Sequence, residues 1–380
     1  MIIRWYNYEK TAQSGVRAMN SHIRAIWALI IVVFIAGCGG AGTPLTPVDQ
    51  PPDNPSGSSD PQDEEPDPVV PYLGQLLEFD SSCCGDTMIT PAHEGYHWEP
   101  DITEPYEQDI ESLYITSENG KQIWVTVHKP VWASEETPCH GIVTVPGGFQ
   151  EGNAWDKPWH PARASRFAKS GFVIAYFDVQ GRGKSEGIED FNGLVHRGDL
   201  KSVIEYVAGR PDVLPIGVGV LSSSMGMMIA APVLAENPDI PVRFLIDQEG
   251  PADRWDITHG GDPIYIEMFY NHGLLDNNFW SKREPVRFAG DMCCPYIRVQ
   301  SDFDHYHNYF YTSHAIALVN EAVRGGCPYV RLNRMEPNVI YNPFKPEKYD
   351  WLDSSKLYYC MYDWAVTASM DFFLPVDTVL

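Results

Sequence analysis

One stretch, residues 217–231, constrains the fold more than any other part of the chain. It opens with alternating glycines and valines, an apolar run that is typical of a buried strand. A serine-rich turn at residues 222–226 follows, and the Met- and Ala-rich segment after it predicts a helix. Pro232 lacks the amide proton that a helix interior uses, so we expect the helix to kink or pause there. The stretch therefore predicts a strand, a sharp turn and a helix in succession.

Ser224 stands at the apex of this turn. In strand–turn–helix units of the pattern Gly-x-Ser-x-Gly, the apical serine holds its hydroxyl clear of the sheet, and the next backbone amide points at the same space. Here Gly226 keeps the second glycine, and Ser222 replaces the first with another small side chain. An ordinary strand-to-helix loop also explains such a pattern, so the neighbouring segments decide its meaning.

Two glycine-rich segments precede this turn. Residues 142–149 predict a strand that ends in paired glycines, and residues 172–187 predict a strand that runs into a glycine-rich turn. Together with the turn at Ser224, these segments resemble the α/β-hydrolase family. Its members carry His-Gly-Gly-like and Asp-x-x-Gly-x-Gly-x-Ser segments in this order before the catalytic serine. The resemblance covers roughly residues 112–373.

The resemblance implies an α/β-hydrolase fold, with a mostly parallel eight-stranded sheet flanked by helices and a small lid insertion at approximately residues 252–292. The folded domain is expected to span residues 72–380. Residues 112–128 alternate in polarity on both sides of Asn119-Gly120, which predicts the antiparallel hairpin that opens such a sheet. The aromatic residues of the lid either line the substrate pocket or form the lid's own core.

The first 71 residues are interpreted as targeting sequence and linker. A basic start followed by a short apolar run at residues 25–37 predicts a secretory signal peptide over residues 1–38. Its end, Ile-Ala-Gly-Cys, resembles a bacterial lipobox, which implies that Cys38 is lipidated. Residues 39–71 are rich in Pro, Asp and Glu and predict a disordered tether, because they cannot bury enough apolar surface to offset chain entropy. We therefore expect a lipid-anchored protein of the cell envelope, at the outer membrane or facing the periplasm.

The chain is strongly acidic, with a formal net charge of −24 and no Lys or Arg between Arg24 and Lys121. This charge argues against nucleic acid and anionic lipid as partners. We expect a small-molecule acyl substrate, membrane contact only through the lipid on Cys38, and no cofactor or metal. The sequence leaves the oligomeric state open. If Cys38 is lipidated, seven cysteines remain: Cys83, Cys84, Cys139, Cys293, Cys294, Cys327 and Cys360. We interpret them as disulfide partners of unknown connectivity rather than metal ligands, and their odd number leaves at least one free or paired between chains.

The resemblance also assigns groups around Ser224. It implies that an oxyanion is stabilised by the backbone amide after the nucleophile, that of Met225, and by a second amide in the loop at Gly148, with Phe149 as the alternative. Residues 301–304 are similar to the Gly-x-x-Asp that often ends the penultimate strand in the family, with serine in place of glycine.

This similarity implies Asp304 as the acid of a Ser–Asp–His triad. Asp302, Asp247 and Glu249 remain alternatives, and each could instead be a carboxylate that caps a following helix.

The expected position of the triad histidine, after the last strand, holds no histidine, since none follows His314. A serine hydroxyl is a poor nucleophile without a base. His305 directly follows the expected acid, and its loop converges on Ser224 from the same edge of the sheet, so we predict His305 as the base. His307, His314 and His259 in the lid are alternatives, and the site could also lack a base.

Two functions are consistent with these residues. The first is a serine hydrolase that cleaves an ester or related acyl bond through an acyl-enzyme on Ser224, with exopeptidases of the same fold as a variant. The turn at residues 181–187 is similar to one in X-prolyl dipeptidyl peptidases and their acyl-esterase relatives. The second is a catalytically silent binding protein of the same fold.

Overall fold

The computed structural model describes residues 107–371 except for 159, 161, 259–260, 262–265, 267–269, 306–311, 334, 346–348, 350 and 354–356. All of these belong to one compact unit, Pro68–Leu380. The predicted signal peptide, Cys38 and the tether lie outside the described residues, as do His259 and His307.

Within the described residues, eight strands form a single sheet in the order β1-β2-β4-β3-β5-β6-β7-β8. The strands are β1 (Gln108–Thr116), β2 (Gln122–Pro130), β3 (Cys139–Val145), β4 (Phe172–Phe177), β5 (Val213–Ser223), β6 (Val242–Gln248), β7 (Tyr296–Val299) and β8 (Val330–Leu332). The pairs β1–β2 and β2–β4 are antiparallel, and the other pairs are parallel. The prediction of a mostly parallel eight-stranded sheet is confirmed.

The sheet opens with the hairpin that the sequence predicts. Thr116 pairs with Gln122 at its tip, and Gly120 in the turn has a φ of 84°. Glycine adopts this left-handed conformation without steric cost, which explains the Asn-Gly signal. The hairpin places β1 at one edge of the sheet, remote in strand order from the central strands β3, β5 and β6.

Helices flank the sheet. Those described are α1 (Ala164–Lys169), α2 (Leu194–Ala208), α3 (Met227–Glu236), α4 (Arg254–Ile257), α5 (Asn277–Trp280), α6 (Ser313–Gly325) and α7 (Leu357–Asp371). Helix α3 contains Pro232 and continues to Glu236, so the helix does not pause there as expected. In the described part of the chain, no helix is long and apolar enough to cross a membrane.

Two hydrophobic clusters cover the two faces of the sheet, because successive side chains of a strand point to opposite sides. On β3, Val143 packs in one cluster with Leu200 of α2, whereas Ile142 packs in the other with Trp364 of α7. Gly219 of β5 faces Phe244 so closely that a Cβ at this glycine would lie 2.2 Å from the ring. The glycines of the first motif therefore serve the packing of the central strands.

The disulfide prediction is wrong for four cysteines: Cys139, Cys293, Cys294 and Cys327 are free thiols. Cys139 is buried in β3, and the Cys327 thiol donates to the Cys294 carbonyl across 3.0 Å. Burial raises the pKa of Cys139 and of Cys327 to about 12, which keeps both thiols protonated and unreactive. Cys83 and Cys84 lie outside the described residues.

Candidate active site

The turn after β5 has the geometry of a nucleophile elbow. β5 ends at Ser223, a 3₁₀ turn spans Ser224–Gly226, and α3 begins at Met227. Ser224 has a φ of 50°, a left-handed conformation that a serine adopts at a cost on the order of 1 kcal/mol or more. Such strain persists where the surroundings enforce it, and here it places Ser224 at the edge of a cavity.

Two glycines make this turn sterically possible. A Cβ on Gly226 would lie 2.9 Å from the Val145 carbonyl oxygen and 3.0 Å from that of Pro146. A Cβ on Gly147 would lie 3.0 Å from the Ser224 Cβ. Ser222, which replaces the usual first glycine, is fully buried and fits beneath the turn.

His305 is the base candidate that the structure brings to Ser224. Its Nε2 lies 3.0 Å from the Ser224 hydroxyl oxygen, which is within hydrogen-bond reach. His314 does not contact Ser224 and is buried on α6, with Nδ1 3.0 Å from the Gly250 carbonyl oxygen. The loop after β7 therefore supplies an imidazole where the usual loop after the last strand holds none.

Glu249 is the carboxylate that holds His305. Its Oε2 lies 2.6 Å from His305 Nδ1, and its Oε1 accepts from the Ser301 amide at 3.2 Å. Because a carboxylate accepts hydrogen bonds, the proton of a neutral His305 resides on Nδ1, which leaves Nε2 free to accept from Ser224. Glu249 follows β6 directly, and its own amide donates to the Val299 carbonyl of β7.

Asp304, the predicted acid, lies farther from the histidine. Its nearest oxygen is 3.8 Å from His305 Nδ1, and its other oxygen contacts His314 Nε2 at 3.0 Å. Although burial opposes ionisation, the hydrogen bond and charge of His314 hold the pKa of Asp304 well below its ordinary value. The geometry thus gives the orienting contact to Glu249, the acid that follows β6, in place of Asp304.

The two other carboxylates considered from the sequence have different partners. Asp247 is fully buried and pairs with Arg298, while Asp302 is exposed in the loop after β7. The backbone amide of Asp302 donates to the Leu352 carbonyl at 2.8 Å. Neither has a described contact with His305.

The pKa of His305 reflects opposing effects. Burial would lower the pKa of this imidazole, but the hydrogen bond to Glu249 and the charges of Glu249 and Asp304 outweigh burial and raise it above the ordinary 6.5. The His305 side chain is 43 % exposed. A histidine with a raised pKa is a stronger base, but it is unprotonated only at higher pH.

Ser224 and His305 open into a cavity of about 240 Å³. Its other described lining residues are Gly147, Gly148, Phe149, Gln150, Ala154, Trp155, His160, Ser223, Met225 and Tyr358. His160 is a lining residue to which the sequence assigned no role; burial lowers its pKa to about 4 and keeps it neutral. Among the described residues, this lining contains no carboxylate.

The residues expected to supply oxyanion donors border the same cavity. Met225 follows Ser224 in the elbow, and Gly148 and Phe149 lie in the facing loop. Gly148 has a φ of 56°, and a Cβ there would meet no atom within 4 Å, so its conformation and not crowding favours glycine. Both loops thus bring backbone amides to the edge of the site.

Three aromatic residues of the lid, Tyr270, Phe279 and Trp280, form a core beside the elbow. Tyr270 and Trp280 are fully buried and pack with Met225 and Met228. The Tyr270 hydroxyl lies 3.6 Å from the Met225 sulfur. These two rings do not line the cavity, so they support the elbow from behind.

One group of three side chains in the described residues could hold a metal ion: Glu249, Asp304 and His305, whose ligand atoms lie within 4.8 Å of one another. These are the groups that surround the Ser224–His305 contact. A cation bound there would compete with the hydrogen bond between Glu249 and His305, because both would use the same carboxylate and imidazole atoms.

Parts of the sequence are similar to a known protein family and to a curated protein. The model of the X-Pro dipeptidyl-peptidase (S15) family matches residues 119–287, a segment that includes Ser224 and Glu249. The uncharacterized protein YfhR of Salmonella typhi is 27% identical over 131 residues, which are 34% of this chain and 42% of that protein. The chain therefore matches less than half the length of this curated relative.

The chain is also similar to solved structures at low sequence identity. Prolyl oligopeptidase B from Galerina marginata has a TM-score of 0.52 and 12% identity over 69% of this chain and 37% of its own. An esterase from Pyrococcus furiosus has a TM-score of 0.45 and 17% identity, covering 65% of this chain and 88% of its own. With the eight-stranded sheet and the elbow at Ser224, the likeness to prolyl oligopeptidase B shows that the chain has the α/β-hydrolase fold.

Proposed function

We propose that the protein is a serine hydrolase that cleaves an ester or related acyl bond through an acyl-enzyme on Ser224. One observation carries this proposal: Ser224 Oγ, His305 Nε2, His305 Nδ1 and Glu249 Oε2 form a continuous chain of contacts of 3.0 Å and 2.6 Å. A nucleophile, a base and a group that orients the base are what acyl transfer requires.

In the proposed reaction, Ser224 Oγ attacks the acyl carbon while His305 Nε2 takes the hydroxyl proton. Glu249 holds the imidazole and stabilises the imidazolium that forms. The backbone amides of Met225 and of Gly148 or Phe149 donate to the oxyanion of the tetrahedral intermediate. Collapse of this intermediate expels the leaving group, which receives the proton from His305. A water molecule then attacks the acyl carbon with His305 again as base. The second tetrahedral intermediate breaks its bond to Ser224 Oγ, releases the carboxylic acid, and Oγ regains a proton from His305.

A fluorophosphonate probe tests the proposal, because it labels a serine only when the hydroxyl is activated. We expect labelling of the folded protein, its loss in Ser224→Ala, and its loss or strong reduction in His305→Ala. Ser134→Ala, in the loop after β2, is a control that keeps the label. Absence of labelling in a folded wild-type protein would support the silent binding protein.

The cavity favours an uncharged acyl group. An exopeptidase that selects a free amino terminus places an anion against the ammonium group, and the described cavity lining contains no carboxylate. Glu249, a buried acid beside His305, is already engaged by His305 and Ser301. These contacts support a neutral substrate such as a short-chain ester.

An exopeptidase is the second candidate, and the match to the X-Pro dipeptidyl-peptidase family favours it. The two candidates are separated by kcat/KM for p-nitrophenyl butyrate and for Ala-Pro-p-nitroanilide, measured on the same preparation. A higher value for the ester supports the proposal. A higher value for the dipeptide amide, dependent on its free amino group, would assign the protein to the exopeptidases.

A further inference from the structure

Two buried side chains behind the cavity connect the loops that carry the proposed oxyanion donors. Asn192 Nδ2 donates to the Met225 carbonyl at 3.3 Å and to the Gly148 carbonyl at 3.4 Å. Arg182 Nη1 donates to the same Gly148 carbonyl at 2.9 Å, and its Nη2 donates to Asn192 Oδ1 at 2.7 Å. We call this pair the Arg182–Asn192 clamp.

Further contacts hold the side chains of the Arg182–Asn192 clamp in fixed positions. Arg182 forms a bidentate ion pair with Glu189, at 2.7 and 2.8 Å, which fixes the plane of its guanidinium group. Glu189 Oε1 also accepts from the Phe191 amide at 2.7 Å. Arg182 is 6% exposed and Asn192 is fully buried, so neither side chain exchanges these partners for water without local unfolding.

The backbone at the clamp is strained. Phe191 and Asn192 have φ angles of 52° and 57°, and two successive side-chain-bearing residues in the left-handed region are unusual, above all an aromatic one. Arg283 Nε donates to the Phe191 carbonyl at 3.1 Å, and His196 Nδ1 accepts from the Asn192 amide at 3.2 Å. Strain of this kind is retained where a precise position of the side chain matters.

Peptide geometry relates the clamp to the oxyanion donors. In a trans peptide the carbonyl and the following N–H point in opposite directions. Anchoring the Gly148 carbonyl on Arg182 therefore directs the Phe149 N–H away from the clamp, and Phe149 lines the cavity. Anchoring the Met225 carbonyl fixes the turn that carries the other proposed donor, the Met225 N–H.

From these contacts we infer that Arg182 and Asn192 are positioning residues that set the distance between the two halves of the oxyanion site. The inference rests on the proposed hydrolase function. Neither side chain lines the cavity, so neither touches a substrate. Two backbone amides in this loop, those of Gly148 and Phe149, are candidates for the second oxyanion donor, and the clamp directly orients the amide of Phe149.

Asn192→Asp is the sharpest variant. Aspartate tolerates a positive φ as asparagine does, and its oxygen still accepts from Arg182. The substitution replaces the N–H donor that faces the carbonyls of Met225 and Gly148 by a charged oxygen that repels both carbonyls. We expect kcat for p-nitrophenyl butyrate to fall about 10- to 100-fold with KM changed less than about twofold, since loss of a whole oxyanion donor costs about 100- to 1,000-fold.

An inhibitor separates positioning from general destabilisation. A trifluoromethyl ketone forms a tetrahedral adduct with Ser224, so its affinity depends on the same donors as the transition state. Its inhibition constant should rise in Asn192→Asp by the factor by which kcat/KM falls. Asn320→Asp is the matched control, because Asn320 is a buried asparagine that donates to the Tyr341 carbonyl at 2.8 Å, on α6. This control should lower the melting temperature and leave kcat and the inhibition constant unchanged.

The proposal is overturned if Asn192→Asp lowers only the melting temperature, with kcat and the inhibition constant as in the wild type. If that variant does not fold, kcat and the inhibition constant are measured for Arg182→Lys instead. This variant keeps the positive charge but loses the guanidinium group that joins Glu189, Asn192 and Gly148. A wild-type protein no more active than Ser224→Ala would refute the hydrolase function itself, and the positioning role with it. That failure is recognisable before any clamp variant is made.

Discussion

Glu249 holds His305 from a backbone conformation that glutamate rarely adopts. Its φ is 51°, its side chain is buried, and its carboxylate accepts from Gln248 as well as from the histidine. The register explains why this acid reaches the imidazole, since Gln248 pairs with Val299 and places Glu249 level with the end of β7. At the scale of single residues, the proposed reaction depends on this one carboxylate.

Replacing Glu249 by Gln tests that dependence. The change removes the contact that raises the pKa of His305 and lets the amide favour the wrong imidazole tautomer, so we expect kcat to fall about 100- to 10,000-fold. His305 acts as a base only when unprotonated, so wild-type kcat/KM should decline as the pH falls through a pKa above 6.5. In Glu249→Gln this limb should move to lower pH.

The measurement is the pH dependence of kcat/KM between about pH 5 and 9. Asp302→Asn serves as control, because Asp302 is exposed and has no described contact with His305. If Glu249→Gln keeps the wild-type profile while Asp304→Asn shifts it, the orienting acid is Asp304 and the original sequence-based prediction holds.

A second prediction for a single residue concerns Gly226. In Gly226→Ala the new Cβ would press on the backbone oxygens of Val145 and Pro146, which cannot move aside as a flexible side chain would. We expect a loss of about 1–3 kcal/mol in unfolding free energy and a fall in kcat, because the elbow must shift. Gly273→Ala, where a Cβ would meet nothing within 4 Å, should change neither quantity. Urea unfolding and steady-state kinetics on both variants check this.

At the scale of elements, the site exists because β5, β6 and β7 end side by side. A fully buried ion pair between Asp247 of β6 and Arg298 of β7 joins two of these strands beneath Glu249 and His305. Arg298 also donates to the Gly250 carbonyl at 2.8 Å, in the turn that follows Glu249. The pair therefore links the loop of the orienting acid to the strand that leads to the base.

Asp247→Asn should destabilise the fold by about 3–5 kcal/mol, because it removes the carboxylate that pairs directly with the buried Arg298. Glu321→Gln, which removes an exposed ion pair with Arg324, should cost less than about 1 kcal/mol. Denaturant unfolding of both variants gives the comparison. Equal stability losses would show that the buried pair contributes no more than a surface pair.

Much of the element order could be predicted, because buried parallel strands are short apolar runs bounded by glycines. The choice between Asp304 and Glu249 could not, since it depends on the register of β6 against β7 and on a positive φ at Glu249. The helices of the predicted lid could not be placed from the sequence either, because α4 and α5 are single turns without a periodic signal. His305 was predictable as a candidate because its loop ends a strand beside the elbow.

At the scale of the whole molecule, the lipobox-like sequence and the acidic segment that follows it bear on the location of the protein in the cell. We propose that Cys38 carries a lipid that anchors the protein in the cell envelope. The tether predicted over residues 39–71 would then connect this anchor to the folded domain.

Expression of the full chain with an alkyne-tagged fatty acid tests the anchor. The wild type should incorporate the tag and sediment with membranes, and Cys38→Ser should do neither, because the lipid attaches through the cysteine sulfur. Cys139→Ser, at a buried thiol of β3, should keep the tag. Incorporation that persists in Cys38→Ser would disprove lipidation at this residue.

Strained backbone is concentrated around the site. In the described part of the chain, four side-chain-bearing residues with positive φ lie there: Phe191, Asn192, Ser224 and Glu249. Warming should release these torsions while the central strands still hold, since the conformations are retained only by their neighbours' contacts. Turnover should thus disappear at a lower temperature than far-ultraviolet circular dichroism, and the interval between the two midpoints would show how independently the reaction centre comes apart.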